Sequence, residues 1–133
     1  MTMPPFTMRT ECPPGSCNCG REALLEQPDA DLRVLRLTRD EEKRLLQRLE
    51  NLSTLSELHL MQERMAQQIG IQLTIQASPN EVRSLRGITI LVHEQPGLCR
   101  KTRQAIPAAI KRSLELRPEI TYDMLNVGGL FES

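Results

Sequence analysis

The feature that most constrains the fold is a change of apolar period at Gly70. Leu55, Leu58, Met61, Met65 and Ile69 recur at steps of three and four. That spacing lays an apolar stripe along one side of an α-helix. Gly70 is a helix stop. Beyond it Ile71, Leu73, Ile75 and Ala77 alternate with Gln72, Thr74 and Gln76, the pattern of a strand with one buried and one polar face. A chain that switches period this way must pack a helical layer against a sheet. Ile88, Ile90 and Val92 repeat the alternation against Thr89, Leu91 and His93. Ser78-Pro79-Asn80 is a turn between the two strands, and so short a link predicts antiparallel pairing. Val82–Arg86 reads as an extension of the second strand, with a bulge at Gly87.

The remaining elements follow from caps and stripes. Thr38-Arg39-Asp40-Glu41 is a capping box, and its acids suit the positive end of a helix. Leu45, Leu46, Leu49 and Leu52 continue that helix. Ser53 or Ser56 is expected to cap the next one, making an αα-hairpin. Leu32–Leu37 alternates around Val34 and predicts a third strand. Arg21–Gln27 allows a helical turn or two before Pro28. A helix is expected from about Cys99 to Leu116 on Ile106, Ala109, Ile110 and Leu114, with Pro107 either kinking it or starting a second helix. Pro118–Asn126 reads as a last helix, stopped by Gly128-Gly129.

The expected architecture is therefore α+β: a small, mainly antiparallel sheet of about three strands with helices packed on one face. An irregular Cys/Pro/Gly-rich arm at 1–29 precedes a domain at 30–126 and a tail at 127–133. A chain of 133 residues can bury a core without covalent staples.

Aromatic residues are confined to Phe6, Tyr122 and Phe131. The core must be aliphatic, and base-stacking platforms, which need several surface aromatics, are all but excluded. The formal net charge is zero but unevenly spread. Residues 83–117 carry Arg83, Arg86, Arg100, Lys101, Arg103, Lys111, Arg112 and Arg117 against only Glu94 and Glu115. Residues 118–133 carry only acids. Guanidinium groups bind phosphate and carboxylate bidentately. An acidic protein or a nucleic acid is the partner this block would take. A solvated helix face, neutralised by Glu119, Asp123 and Glu132, would leave the same pattern.

The chemistry-bearing stretch is Glu11–Gly20, which holds Cys12, Cys17 and Cys19; Cys99 follows a Pro96–Gly97 turn. Zinc sites commonly use pairs of cysteines two to four residues apart, and plant-type iron–sulfur sites use C-x4-C-x2-C with a distant fourth cysteine. The run here, C-x4-C-x-C, departs from both. Gly15 and Gly20 permit the tight backbone a metal loop needs, and Pro13 and Pro14 limit the entropy lost on closing it. Cys99 is the natural fourth ligand if the arm folds back over the Pro96–Gly97 turn. His93 could take a cysteine's place, or be a solvent-facing strand residue. His59 reads as a surface or core-edge residue. Taken alone, Cys99 would be a nucleophile activated by a helix start and by Arg100, Lys101 and Arg103, or simply a small residue packed under the turn.

No P-loop, dinucleotide fingerprint, HExxH, GxSxG or EF-hand loop occurs. Neither an export signal nor a run of about 18 apolar residues is evident, so a cytoplasmic chain with no membrane partner is expected. Clustered cysteines in that compartment are metal ligands or redox groups more often than structural disulfides. Three functions follow. The first is a small non-enzymatic accessory protein with zinc or an iron–sulfur cluster on Cys12, Cys17, Cys19 and Cys99. The others are a module binding RNA or an acidic partner through 83–117, and a cysteine-dependent thiol redox protein.

Overall fold

The computed structural model of the chain describes residues 19–77 and 88–127. Within them run α1 (Arg21–Glu26), α2 (Arg39–Glu50), α3 (Leu55–Ile69), β1 (Leu73–Ala77), β2 (Ile88–Val92), α4 (Arg100–Leu116) and α5 (Pro118–Val127). The class is α+β, with five helices and one two-stranded antiparallel sheet among the described residues. The expected turn at 78–80, strand extension at 82–86, bulge at Gly87 and stop at Gly128-Gly129 lie outside them.

The period change at Gly70 falls where the alternation predicts. Gly70 closes α3 in the left-handed region, at φ 66°. Pairing runs from Leu73 opposite Val92 to Ala77 opposite Ile88. Leu73, Ile88 and Ile90 are buried on the inner face, while Gln76, Thr89 and Leu91 face solvent. α3 packs behind β1 and α4 behind β2. Gln62 of α3 donates a 2.7 Å hydrogen bond to the Leu73 carbonyl, tying helix to strand.

The third strand is not formed. Arg33–Arg36 is a 3₁₀ turn instead. Asp31 accepts the Arg33 backbone N–H at 3.1 Å and so starts the turn as a cap would. Val34, Leu35 and Leu37 are all buried, which a strand with one polar face could not manage. The Arg33 guanidinium donates to the Ala66 and Gln67 carbonyls at 3.2 and 2.8 Å, and Arg36 to that of Gln68 at 3.3 Å. α3 has no basic residue in its own last turn. These two arginines supply the positive charge its C-terminal dipole favours.

The caps are threonines. Thr38 accepts from the Glu41 N–H at 3.3 Å, as the capping box predicts. At α3 the cap is Thr54 rather than Ser53 or Ser56. It accepts from the Glu57 N–H at 3.1 Å, while the Glu57 carboxylate takes the Ser53 N–H at 3.0 Å. That reciprocal pair needs an acid three residues after the hydroxyl, which decides for Thr54.

The αα-hairpin is also replaced. α2 packs along α4, not α3. Thr102 donates to Glu42 at 2.8 Å. Near the other end the buried Ser113 hydroxyl donates to the Leu49 carbonyl and accepts the Leu52 N–H at 3.0 Å. Arg112 pairs with Glu50 beside it. Both helices ascend in number through these contacts, so they run in the same direction. α4 continues unbroken through Pro107, as one helix. α5 closes the core over α3 and α4 with Ile120 and Met124. Leu24 of α1 belongs to the same core as Leu49, Leu58, Ile110 and Leu114. No helix among the described residues is long and apolar enough to cross a membrane.

Candidate functional site

The cysteine turn is built around Gln95–Leu98. Leu98 donates to the Gln95 carbonyl at 3.2 Å, with proline second and glycine third, the order a type II β-turn asks for. Gly97 has φ 86°. A Cβ there would lie 2.8 Å from Leu24 Cδ2 and 2.9 Å from Val34 Cγ1. No side chain fits, so the turn lies flat on the core. The Gly97 N–H donates a 2.7 Å hydrogen bond to the Cys19 carbonyl. Gly20, at φ 79°, stacks against Pro96 and starts α1. The end of the arm thus folds back over the Pro96–Gly97 turn, as the ligand reading requires. Cys99 follows two residues later as the N-cap position of α4, with no side-chain cap bond.

Cys19 and Cys99 are both half-buried. Cys12 and Cys17 lie outside the described residues. Among the described residues no three His, Cys, Asp or Glu side chains gather as a metal would require. His93 shares a 2.6 Å hydrogen bond with Thr74 on the exposed face of the sheet, the solvent-facing alternative. His59 is exposed on α3.

The basic block divides. Arg83 and Arg86 lie outside the described residues. Arg103 is half-buried and pairs with Glu94 at 3.1 Å, and Arg112 pairs with Glu50. Arg100, Lys101 and Lys111 are exposed, and among the described residues no carboxylate pairs with them. Among the described residues the acids that pair with the block are Glu94 and Glu50, while Glu132 lies outside them. Arg100, Lys101 and Arg103 crowd the first turn of α4, which carries no acid. Cations at the positive end of a helix oppose its dipole, so this end is strongly electropositive.

A third feature lies between α2 and α3. Because α2 turns to α4, it leaves a groove of about 590 Å³ between itself and α3. Leu37, Leu45, Met61, Met65 and Ile69 form its floor. Arg44 and Arg48 line the α2 wall; Arg64 and Arg36 line the other, Arg36 held by the Gln68 carbonyl. Asp40 and Glu41 also face it, with Glu41 pairing to Arg44 at 3.0 Å. Among the described residues no carboxylate pairs with Arg48 or Arg64. Residues 1–82 carry twelve acidic and nine basic side chains, an excess that hides these arginines. The visible signal was the one-turn spacing of Arg44 and Arg48.

The chain matches no protein-family model, no curated protein and no solved structure.

Proposed function

We propose that the protein is a small, non-enzymatic, cytoplasmic accessory protein whose N-terminal cysteines and Cys99 hold a thiophilic metal centre, zinc or an iron–sulfur cluster. The observation that carries this reading is the hydrogen bond from Gly97 to the Cys19 carbonyl. It fastens the third cysteine of the arm to the turn that delivers the distant fourth. Cys12 and Cys17 would complete a four-thiolate set, the donor type that selects zinc or iron–sulfur over hard cations. A cobalt(II) titration of the reduced full chain tests it. Thiolate-to-cobalt charge-transfer bands are expected in the wild type and should be lost in Cys19→Ser and in Cys99→Ser. A wild-type protein without such bands overturns the metal reading. Air oxidation of that protein to a disulfide would then favour the thiol redox alternative.

A second reading is an acidic-partner or nucleic-acid module using α4. What favours it is the set of exposed cations Arg100, Lys101 and Lys111 with the crowded positive end of that helix. In the sequence the same basic block also holds Arg83, Arg86, Arg103 and Arg112.

A further inference from the structure

We infer that the groove between α2 and α3 is a docking site for an acidic amphipathic helix of a partner protein. Its shape comes from two helix faces standing apart. Asp40 to Arg48 on one side and Met61 to Ile69 on the other each span about two turns. The result is a trough parallel to helices, where a further helix can lie. Met61 and Met65 are already buried in the core beneath it. Leu45 and Ile69 are only half-buried and remain to be covered.

Charge selects the occupant. The arginines are spread along both walls of the groove rather than borne by a single turn. Arg44 and Arg48 stand about one turn apart on one rim, and Arg64 stands about one turn before the Gln68 carbonyl that holds Arg36 on the other. The walls carry two more cations than carboxylates. A helix with apolar residues at i, i+3, i+4 and i+7 fills such a floor. Glutamates on its flanks, one turn apart, would meet bidentately the guanidinium forks of Arg48 and Arg64, which no carboxylate among the described residues engages. This site is separate from the cysteine turn and does not depend on a metal.

The probe is a fluorescein-labelled helical peptide of about 14 residues, with leucines at the spacing above and glutamates on both flanks. Its anisotropy is titrated with the full chain at low and high salt. Saturable binding that weakens with salt is expected. The double variant Arg48→Glu, Arg64→Glu alters two exposed side chains and should weaken binding at least about tenfold. A second peptide with lysines for the flanking glutamates should bind that variant better than the wild type, which an unfolded variant could not do. The metal content of the variant should equal that of the wild type. The inference is overturned if no saturable binding occurs, or if the double variant binds the acidic peptide unchanged. It is overturned equally if a peptide with serines for the leucines binds as well. Sedimentation showing a wild-type dimer that the double variant abolishes and the peptide cannot displace would assign the groove to a second copy instead.

Discussion

The Gly97 N–H and the Cys19 carbonyl are joined by a 2.7 Å hydrogen bond across 78 positions of chain. This one contact seats the end of the cysteine arm on the turn before Cys99. It depends on a residue with no side chain, because Gly97 lies against Leu24 and Val34 at φ 86°.

Replacing Gly97 with alanine should therefore disturb both core and arm. The new Cβ meets two core side chains and sits in a backbone region that costs about 1–2 kcal/mol. Overpacking adds a similar amount, so a loss of about 2–4 kcal/mol is expected in urea denaturation. Gly20→Ala has a left-handed φ but only ordinary contact with Pro96 at 3.7 Å, and should lose about 1 kcal/mol.

Ser113 closes the C-terminal end of α2 from a different helix. Ser113→Ala leaves the Leu49 carbonyl and the Leu52 N–H without the hydroxyl that satisfies both. Unsatisfied buried groups cost about 1–3 kcal/mol each. The variant should unfold about 2–4 kcal/mol more easily. Amide exchange should accelerate first at Leu52, and equal exchange at that amide in both proteins would contradict the assignment.

Acid should release the 3₁₀ turn. Hydrogen bonds from the Arg33 side chain hold the Asp31 carboxyl below the usual aspartate range, against a smaller opposing effect of burial. A group with a lowered folded pKa contributes stability above its unfolded value and loses it as pH falls through the folded value. Asp31→Asn should thus be slightly less stable than the wild type at neutral pH, the discount reflecting the exposure of the pair. The gap should close as the pH falls below the ordinary aspartate range and the carboxyl is protonated. A gap that persists there would mean that Asp31 acts through packing rather than charge.

The exposed cations of α4 give a salt test. If they contact phosphate, the triple variant Arg100→Ala, Lys101→Ala, Lys111→Ala should reduce the log–log salt slope of RNA binding by about 0.7–0.9 per lost contact. A filter-binding titration at two salt concentrations measures it. Binding retained in full by the variant would remove α4 from the interface.

Where local chemistry dominates, the sequence was legible. The Thr38 cap, the stop at Gly70 and the antiparallel pairing of Leu73–Ala77 with Ile88–Val92 rest on neighbours in the chain, and each appears as expected. Leu32–Leu37 was misread because three buried residues in six resemble alternation. The deciding partners, the carbonyls of Ala66, Gln67 and Gln68, lie more than 30 residues away. The hairpin failed for the same reason: the hydroxyl that draws α2 to α4 belongs to Ser113. The groove followed from that displacement, so its arginines could not be grouped by position in the chain. The contact of the Cys19 backbone with the turn before Cys99 was legible because a proline–glycine turn announces where the backbone must reverse.

Metal content and the visible spectrum of the full chain, purified without air and without chelator, test the central proposal most directly. The account predicts stoichiometric zinc, or a sulfur-to-iron charge-transfer band with matching iron, and loss of either when Cys17 and Cys19 are both changed to serine. A wild-type protein that carries no metal, and takes up neither zinc nor iron on titration, would contradict it.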